Sequence, residues 1–225
     1  NRREFTANVS HELKTPLQGI IGSAELLENG MVKQEDVPRF VGHIRKEAQR
    51  LVTLIGDIIR LSQLDEGDEM PREAVDLLAL SQEAANDLQA AAGQKNVSVS
   101  VEGESARVSG VRRLLYEVIY NLCDNAIKYN VEGGSVTMSV GERDGKAFVS
   151  VADTGIGIAP QDLPRIFERG YTGENGRLEK RSSGLGLYLC RRAADMLSIP
   201  LRAESTPGEG SRFILDLSGG RAGNG

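Results

Sequence analysis

The sequence has no tryptophan, and five phenylalanines and five tyrosines make aromatics only 4% of its 225 residues. A fold with so few large rings fills its core with aliphatic side chains, and a hydrophobic content of 40% is enough for that. Two cysteines occur, Cys123 and Cys190, far apart and in no metal-ligand spacing. This excludes a disulfide framework and a cysteine-built metal site, and it favours a reducing compartment. A basic excess is missing as well, since the formal net charge is -5. Broad nucleic-acid binding needs clustered lysine and arginine, so it is excluded, and any bound phosphate must be held locally. No apolar run reaches the roughly 18 residues that span a bilayer, and there is no signal peptide, so no membrane contact is expected of this stretch. The chain opens at Asn1 rather than at a methionine, which reads as a segment of something longer.

What is present divides into two textures. From Arg2 to Glu28, Phe5, Val9, Leu13, Leu17, Ile20, Ala24 and Leu27 recur at helical spacing and predict a long amphipathic helix. After an Asn29-Gly30 break, Val41, Ile44, Ala48, Leu51, Ile55 and Ile58 form one apolar face of a second helix, and Val52, Leu54 and Ile59 add another. A hairpin of two such helices is too thin to bury both faces alone, so a dimeric four-helix bundle is expected. The acidic stretch from Asp65 to Pro71 marks a boundary. Beyond it, strands are expected near 97–101, 135–140, 147–152, 201–204 and 212–217, with a short one before Leu77. Helices are expected near 77–92, 111–129 and 185–197. The fold class read from this is α+β, a helical hairpin followed by an α/β sandwich with a mostly antiparallel sheet. The predicted division is a first domain over 1–65, a linker over 66–74, a second domain over 75–218 with a mobile lid at about 155–183, and a disordered tail over 219–225.

One of only two histidines, His11, sits in "SHELKTPL" with an acid beside it and a proline five residues on. At about 100° per residue it points away from the apolar arc, with Lys14, Thr15 and Gln18 on its side of the helix. Pro16 removes the amide that would bond the carbonyl of Glu12, so any kink falls beside the histidine. A nucleophilic imidazole needs one ring nitrogen unprotonated and the other held by an acceptor, which an adjacent carboxylate can supply. His43, with no acid motif beside it, reads as structural or surface. "FTANVSHELKTPL" resembles the phosphoacceptor box of sensor histidine kinases, the transmitter half of bacterial two-component systems. The resemblance implies that His11 is phosphorylated on its outer ring nitrogen. It also implies that Glu12 orients the other nitrogen and takes its proton, and that Thr15 positions water for dephosphorylating the partner regulator.

Four further stretches follow in the order that family requires. In "NLCDNAIKYN", Asn121 and Asn125 share a helix face, with Lys128 and Tyr129 a turn on, amid apolar neighbours that oblige the amides to find polar partners. The resemblance implies that Asn121 ligates Mg²⁺, that Asn125 and Lys128 reach phosphates and that Tyr129 packs near adenine. In "VSVADTGIGI" a strand ends at Asp153, followed by Gly155, Gly157 and Ile158; a carboxylate there accepts from the adenine amine and repels the guanine oxygen, favouring ATP. Asp-Thr-Gly is also the aspartic-protease triplet, but that chemistry needs paired copies and usually a small residue where Ile156 stands. "IFERGYTGENGR" carries Phe167, which resembles the family's lid-anchoring aromatic, and then Tyr171. The arginine that many members place after "FER" is missing, so Arg177, Lys180 or Arg181 of the same lid is its candidate replacement. In "SSGLGLYLC", Ser183, Gly184, Leu185, Gly186 and Leu187 open a helix whose bare amides can cradle phosphate, with Ser182 and Ser183 where the family usually has Gly-Thr. Pro160 and Leu189 break the G-x-G-x-x-G spacing and no Walker sequence exists, which excludes Rossmann and P-loop sites.

The resemblance covers residues 5 to about 217. It implies an ATP-dependent protein-histidine kinase core that autophosphorylates His11, passes the group to an aspartate of a response regulator receiver domain, and also acts as a phosphatase toward it. It further implies a homodimer using ATP and Mg²⁺, a cytoplasmic location for this fragment and a membrane-anchored parent. The rival reading is an ATP-driven clamp of the gyrase and heat-shock chaperone type, with Glu117 activating water four residues before Asn121. A scaffold without catalysis is the third, and it has no use for Asn121 and Asp153.

Overall fold

In the computed structural model of the chain, residues 2–65, 70–168, 171 and 185–217 are described, residues 2–9 and 65 by backbone alone. They fall into two compact units, the helical hairpin and everything from Met70 onward.

The hairpin consists of α1 (Arg2–Glu28), a turn with a short 3-10 segment (Gln34–Asp36), and α2 (Val37–Asp65). Helix α1 runs unbroken through Pro16. It ends where Gly30 adopts φ +66°, which lets the Met31 amide donate back to the Leu26 carbonyl at 3.0 Å and satisfy an orphan acceptor of the last turn. On α2, Leu54, Leu61 and Leu64 are buried, whereas Val41, Val52, Ile55 and Ile59 are exposed. The apolar stripe expected on α1 is only partly covered within one hairpin. Leu17 is 44% exposed and Ala24 is exposed, while Pro16 and Ser23 are buried. A single partner helix covers only one side of α1, so the stripe splits between a covered and an uncovered face.

The second unit is a two-layer sandwich. Its sheet has five strands in the order β2 (Ser98–Gly103), β4 (Ser135–Arg143), β5 (Lys146–Asp153), β7 (Gly210–Leu217) and β6 (Leu201–Thr206). The β2–β4 pair is parallel and the others antiparallel, so the mostly antiparallel sheet is found as expected. Alternation places Val136, Met138, Val149, Val151, Phe213 and Leu215 on the buried face. Against it pack α3 (Leu77–Asp87) and α5 (Arg112–Lys128), the latter through Leu115, Val118, Ile119 and Leu122. Helix α6 (Gly186–Met196) lies beside α5, where the Cys190 thiol donates to the Val118 carbonyl at 3.6 Å. Two expectations are revised. The helix expected over 77–92 divides at Leu88 into α3 and α4 (Gln89–Gln94). A strand not expected, β3 (Arg107–Gly110), pairs antiparallel with β1 (Glu73–Asp76); with four residues it is too short to show a period of two. Asp76 ends β1 and caps α3, its carboxylate accepting from the amides of Leu78 at 3.0 Å and Ala79 at 3.3 Å.

Candidate active site

In the hairpin, His11 is exposed, as its helical phase requires, and Glu12 beside it is half-buried. The Thr15 hydroxyl donates to the His11 carbonyl at 3.4 Å. His11, Glu12 and Thr15 line one small cleft of about 110 Å³ together with Arg50 and Leu54 of α2. The three residues singled out in the sequence are therefore brought together, and Arg50 is a member that sequence reasoning missed. His43 is exposed and lies across from Gly19, where a methyl group would stand 3.7 Å from its Nε2.

In the second unit, the C-terminal half of α5 carries Asn121 and Asn125. Asn121 is 6% exposed, and its amide nitrogen donates to the Glu117 carbonyl at 2.8 Å and to Glu117 Oε1 at 3.0 Å. That orientation leaves Oδ1 facing the start of α6, 3.9 Å from where a Cβ on Gly186 would sit. Asn125 is half-buried, and its side chain makes no hydrogen bond among the described residues, while its carbonyl accepts from the Tyr129 amide at 3.1 Å. Lys128 pairs with Asp124 one turn back at 2.7 Å. Tyr129 closes the helix, and its carbonyl accepts from the Ile156 amide at 3.1 Å, tying the loop after β5 to the end of α5.

Asp153 is the last residue of β5. Its Oδ1 accepts from the amides of Gly155 at 2.8 Å and Ser211 at 3.3 Å, and among the described residues its Oδ2 accepts nothing. Burial pushes its carboxyl above the ordinary range, and the two amide bonds pull it back part of the way. The loop is glycine-bound for steric reasons. A Cβ on Gly155 would lie 2.3 Å from the Tyr129 carbonyl oxygen, and Gly157 has φ +70° with the Thr206 carbonyl 2.2 Å from the same notional atom. The Ile158 amide donates to Ser205 Oγ at 2.7 Å, and Ser205 in turn meets the Gly210 carbonyl at 2.9 Å and Ser211 Oγ at 2.8 Å.

Asn130 also escaped sequence reasoning. It is 5% exposed, donates to the Ser135 carbonyl at 3.0 Å and receives the Thr154 hydroxyl at 3.4 Å, locking helix end, β4 and loop together. Ser205, Ser211 and Gly210 were missed too. The "TPGEG" turn announces their hairpin but not the register that sets Ser211 opposite Asp153.

Phe167 packs edge-on to Phe213 with ring centres 6.0 Å apart, under the Arg191 guanidinium at 4.3 Å. It thus anchors the start of the polar segment to β7 and α6. The Tyr171 hydroxyl donates to Asp162, and Arg165 lies 4.4 Å over its ring. Leu185 is fully buried, and Gly186 and Leu187 begin α6. Lys180, Arg181, Ser183 and Gly184 lie outside the described residues, as does Arg177. The structure therefore joins Asn121 to Gly186 and Tyr129 to the loop that Asp153 begins. Among the described residues no cluster of histidine, cysteine and carboxylate side chains could hold a metal, and no helix is long and apolar enough to cross a membrane.

An outward histidine with a neighbouring acid, and a separate α/β unit with a half-buried aspartate beside a glycine loop, define a phosphotransfer class of protein. Two family models match. Residues 1–67 fit the His Kinase A (phospho-acceptor) domain, and residues 110–220 fit the ATPase domain shared by histidine kinases, DNA gyrase B and HSP90. The chain is 37% identical over 219 residues to the sensor-like histidine kinase SenX3 of Mycobacterium bovis, covering 96% of this chain and 53% of that protein. Among solved structures, full-length ShkA in complex with AMPPNP matches at 27% identity and TM-score 0.67, over 95% of this chain and 45% of that one. Histidine kinase ThkA in complex with the response regulator TrrA shares the fold at 22% identity and TM-score 0.75, over 95% of this chain and 60% of that one. The chain belongs to the sensor histidine kinases and corresponds to their catalytic core, with the ATP-binding domain and the dimeric bundle that the family implies. It spans about half the length of the curated relative it matches.

Proposed function

We propose that this chain autophosphorylates on His11 with ATP and passes the phosphoryl group to an aspartate of a response regulator. The observation that carries the reading is the exposed His11, grouped with Glu12 and Thr15 in one cleft of a chain that also holds an ATP-binding unit. Asp153 fits a purine amine. Two backbone amides fix one of its oxygens, and the other is left to accept. Glu12 is assigned to hold one ring nitrogen of His11, which would leave the outer nitrogen's lone pair to attack the γ-phosphorus. The N–P bond forms as the bond to the β,γ-bridging oxygen breaks, ADP leaves with that electron pair, and the ring proton passes to Glu12. Asn121, whose amide nitrogen is engaged by Glu117 and whose oxygen is left to accept, would hold Mg²⁺, a neutral oxygen ligand of the kind that ion accepts. When bound, the ion neutralises charge on the phosphates.

Asn125 and Lys128 are assigned to phosphate contacts, and Tyr129, Gly155, Gly157 and Ile158 to the purine wall. Tyr171, Lys180, Arg181 and residues 183–187 are assigned to the lid and its closing helix. Thr15 is assigned to positioning water in a phosphatase reaction on the regulator. The regulator docks on the bundle near His11, and the parent protein is held at the cell membrane. The test is labelling with ATP that carries radioactive phosphorus at the γ position. His11→Ala should lose all acid-labile, base-stable label while still binding nucleotide, and label retained in that variant would refute the assignment. ATP turnover without any such label in the unaltered chain would favour the clamp reading, in which Glu117 serves as base.

A further inference from the structure

We infer that Arg50 binds the phosphoryl group carried by His11 and so favours the phosphorylated form of the protein. This inference rests on the reading of His11 as the phosphoacceptor. Arg50 lies four residues before Leu54 on α2, on the same stripe as the buried Leu54, Leu61 and Leu64. Its guanidinium therefore lines the cleft that His11, Glu12 and Thr15 form from α1. Among the residues lining that cleft it is the permanent cation.

Phosphorylation adds roughly two negative charges at a site that already holds the Glu12 carboxylate. Without a cation, that accumulation would oppose the product. The planar fork of an arginine matches phosphoryl oxygens through paired donors better than an ammonium does. Leu54, 4% exposed, gives the cleft an apolar wall that keeps part of the solvent screening away. Arg50 is also available for the role. Its ion pair is with Glu47 at 4.0 Å, the outer edge of such a contact, and its side chain is one-third exposed. A single contact at that distance holds the guanidinium loosely, although the Glu47 side chain is only 13% exposed, and it gives way to a dianion that offers paired acceptors. In the resting protein the guanidinium leans toward Glu47, and in the phosphorylated protein it turns to the phosphoryl oxygens.

Transfer from ATP to histidine is reversible, so the labelled fraction at a fixed ATP to ADP ratio measures the relative free energy of the phosphorylated form. A lesion that merely slows the reaction leaves that fraction unchanged. The experiment compares the unaltered chain with Arg50→Gln and Arg50→Lys, reading the ATP to ADP ratio at half-maximal labelling and the ³¹P resonance of the phosphohistidine. Arg50→Gln should raise the ratio by about three- to tenfold, the range for losing a charged hydrogen bond at a partly exposed site, and should shift the resonance. Arg50→Lys, which keeps the charge, should fall between the two. Equal ratios for the unaltered chain and Arg50→Gln, or slower labelling with an unchanged ratio, would overturn the role of Arg50 alone. Should Arg50→Gln take up no label, Arg50→Lys decides by the same criterion: a raised ratio supports the inference and an unchanged one overturns it. No label on the unaltered chain would instead sink the phosphoacceptor reading itself.

Discussion

At the scale of single residues, Asp153 shows how a site can oppose the stability of the fold that carries it. Its carboxyl is raised by burial, against the pull of two backbone amides. A carboxyl whose pKa is higher folded than unfolded penalises folding once it ionises. The penalty is therefore present at neutral pH and disappears as the pH falls through the raised value. Asp153→Asn keeps an oxygen for the Gly155 and Ser211 amides and removes the charge. It should stabilise the second unit by at most about 1 kcal/mol, since the group is partly solvated, which corresponds to roughly 2–4 °C in melting temperature for a domain of this size. The gain should shrink toward zero in acid. The same substitution should weaken ATP binding by about tenfold or more, because the amide presents a donor to the purine amine. Thermal melts at several pH values and nucleotide titration check both halves; a less stable Asp153→Asn at neutral pH would contradict the sign.

At the scale of elements, the close approach of β7 to the end of β5 sets the aspartate. Gly210 has φ +125°, and a Cβ there would stand 1.9 Å from the Asp153 carbonyl oxygen. Gly210→Ala must push two strands apart and should destabilise the unit by about 2–4 kcal/mol while loosening nucleotide binding. Gly145 makes the useful contrast, since it has φ +73° but open space around it. Gly145→Ala should cost only about 1 kcal/mol, the backbone penalty by itself, and leave binding untouched. Urea unfolding of the two variants separates the effects.

The same comparison shows what a sequence can reveal. Alternating valines made β4 and β5 legible, and the helical spacing of Asn121 and Asn125 placed both on one face of α5. Gly210, Ser205 and Ser211 were not legible, because their importance comes from a cross-strand register that local pattern does not encode. Arg50 was hidden for a similar reason, since only the pairing of two helices sets it beside His11. On α1 the apolar spacing was legible, but not which of its residues one hairpin covers, because burial there depends on which neighbour covers which side.

At the scale of the whole molecule, that uncovered side becomes the main consideration. At about 100° per residue, Val41, Val52, Ile55 and Ile59 fall within roughly 60° of one another on α2, nearly opposite the buried Leu54, Leu61 and Leu64. Leu17 and Ile21 expose a comparable strip on α1. Such an apolar surface on a two-helix hairpin is what a second copy covers in the dimeric bundle that the family implies. A twofold interface uses each side chain twice, so one substitution removes two buried isoleucines at about 1.5–3 kcal/mol each. Ile55→Glu should therefore weaken the dimer by on the order of a hundredfold or more, and monomer should dominate at micromolar concentration. Met31, 74% exposed in the turn and off the stripe, is the control, and Met31→Glu should leave the dimer intact. Sedimentation equilibrium over a range of concentrations measures both. If Ile55→Glu sediments as the unaltered chain does, the stripe is not the interface, and the pairing of hairpins must use another surface.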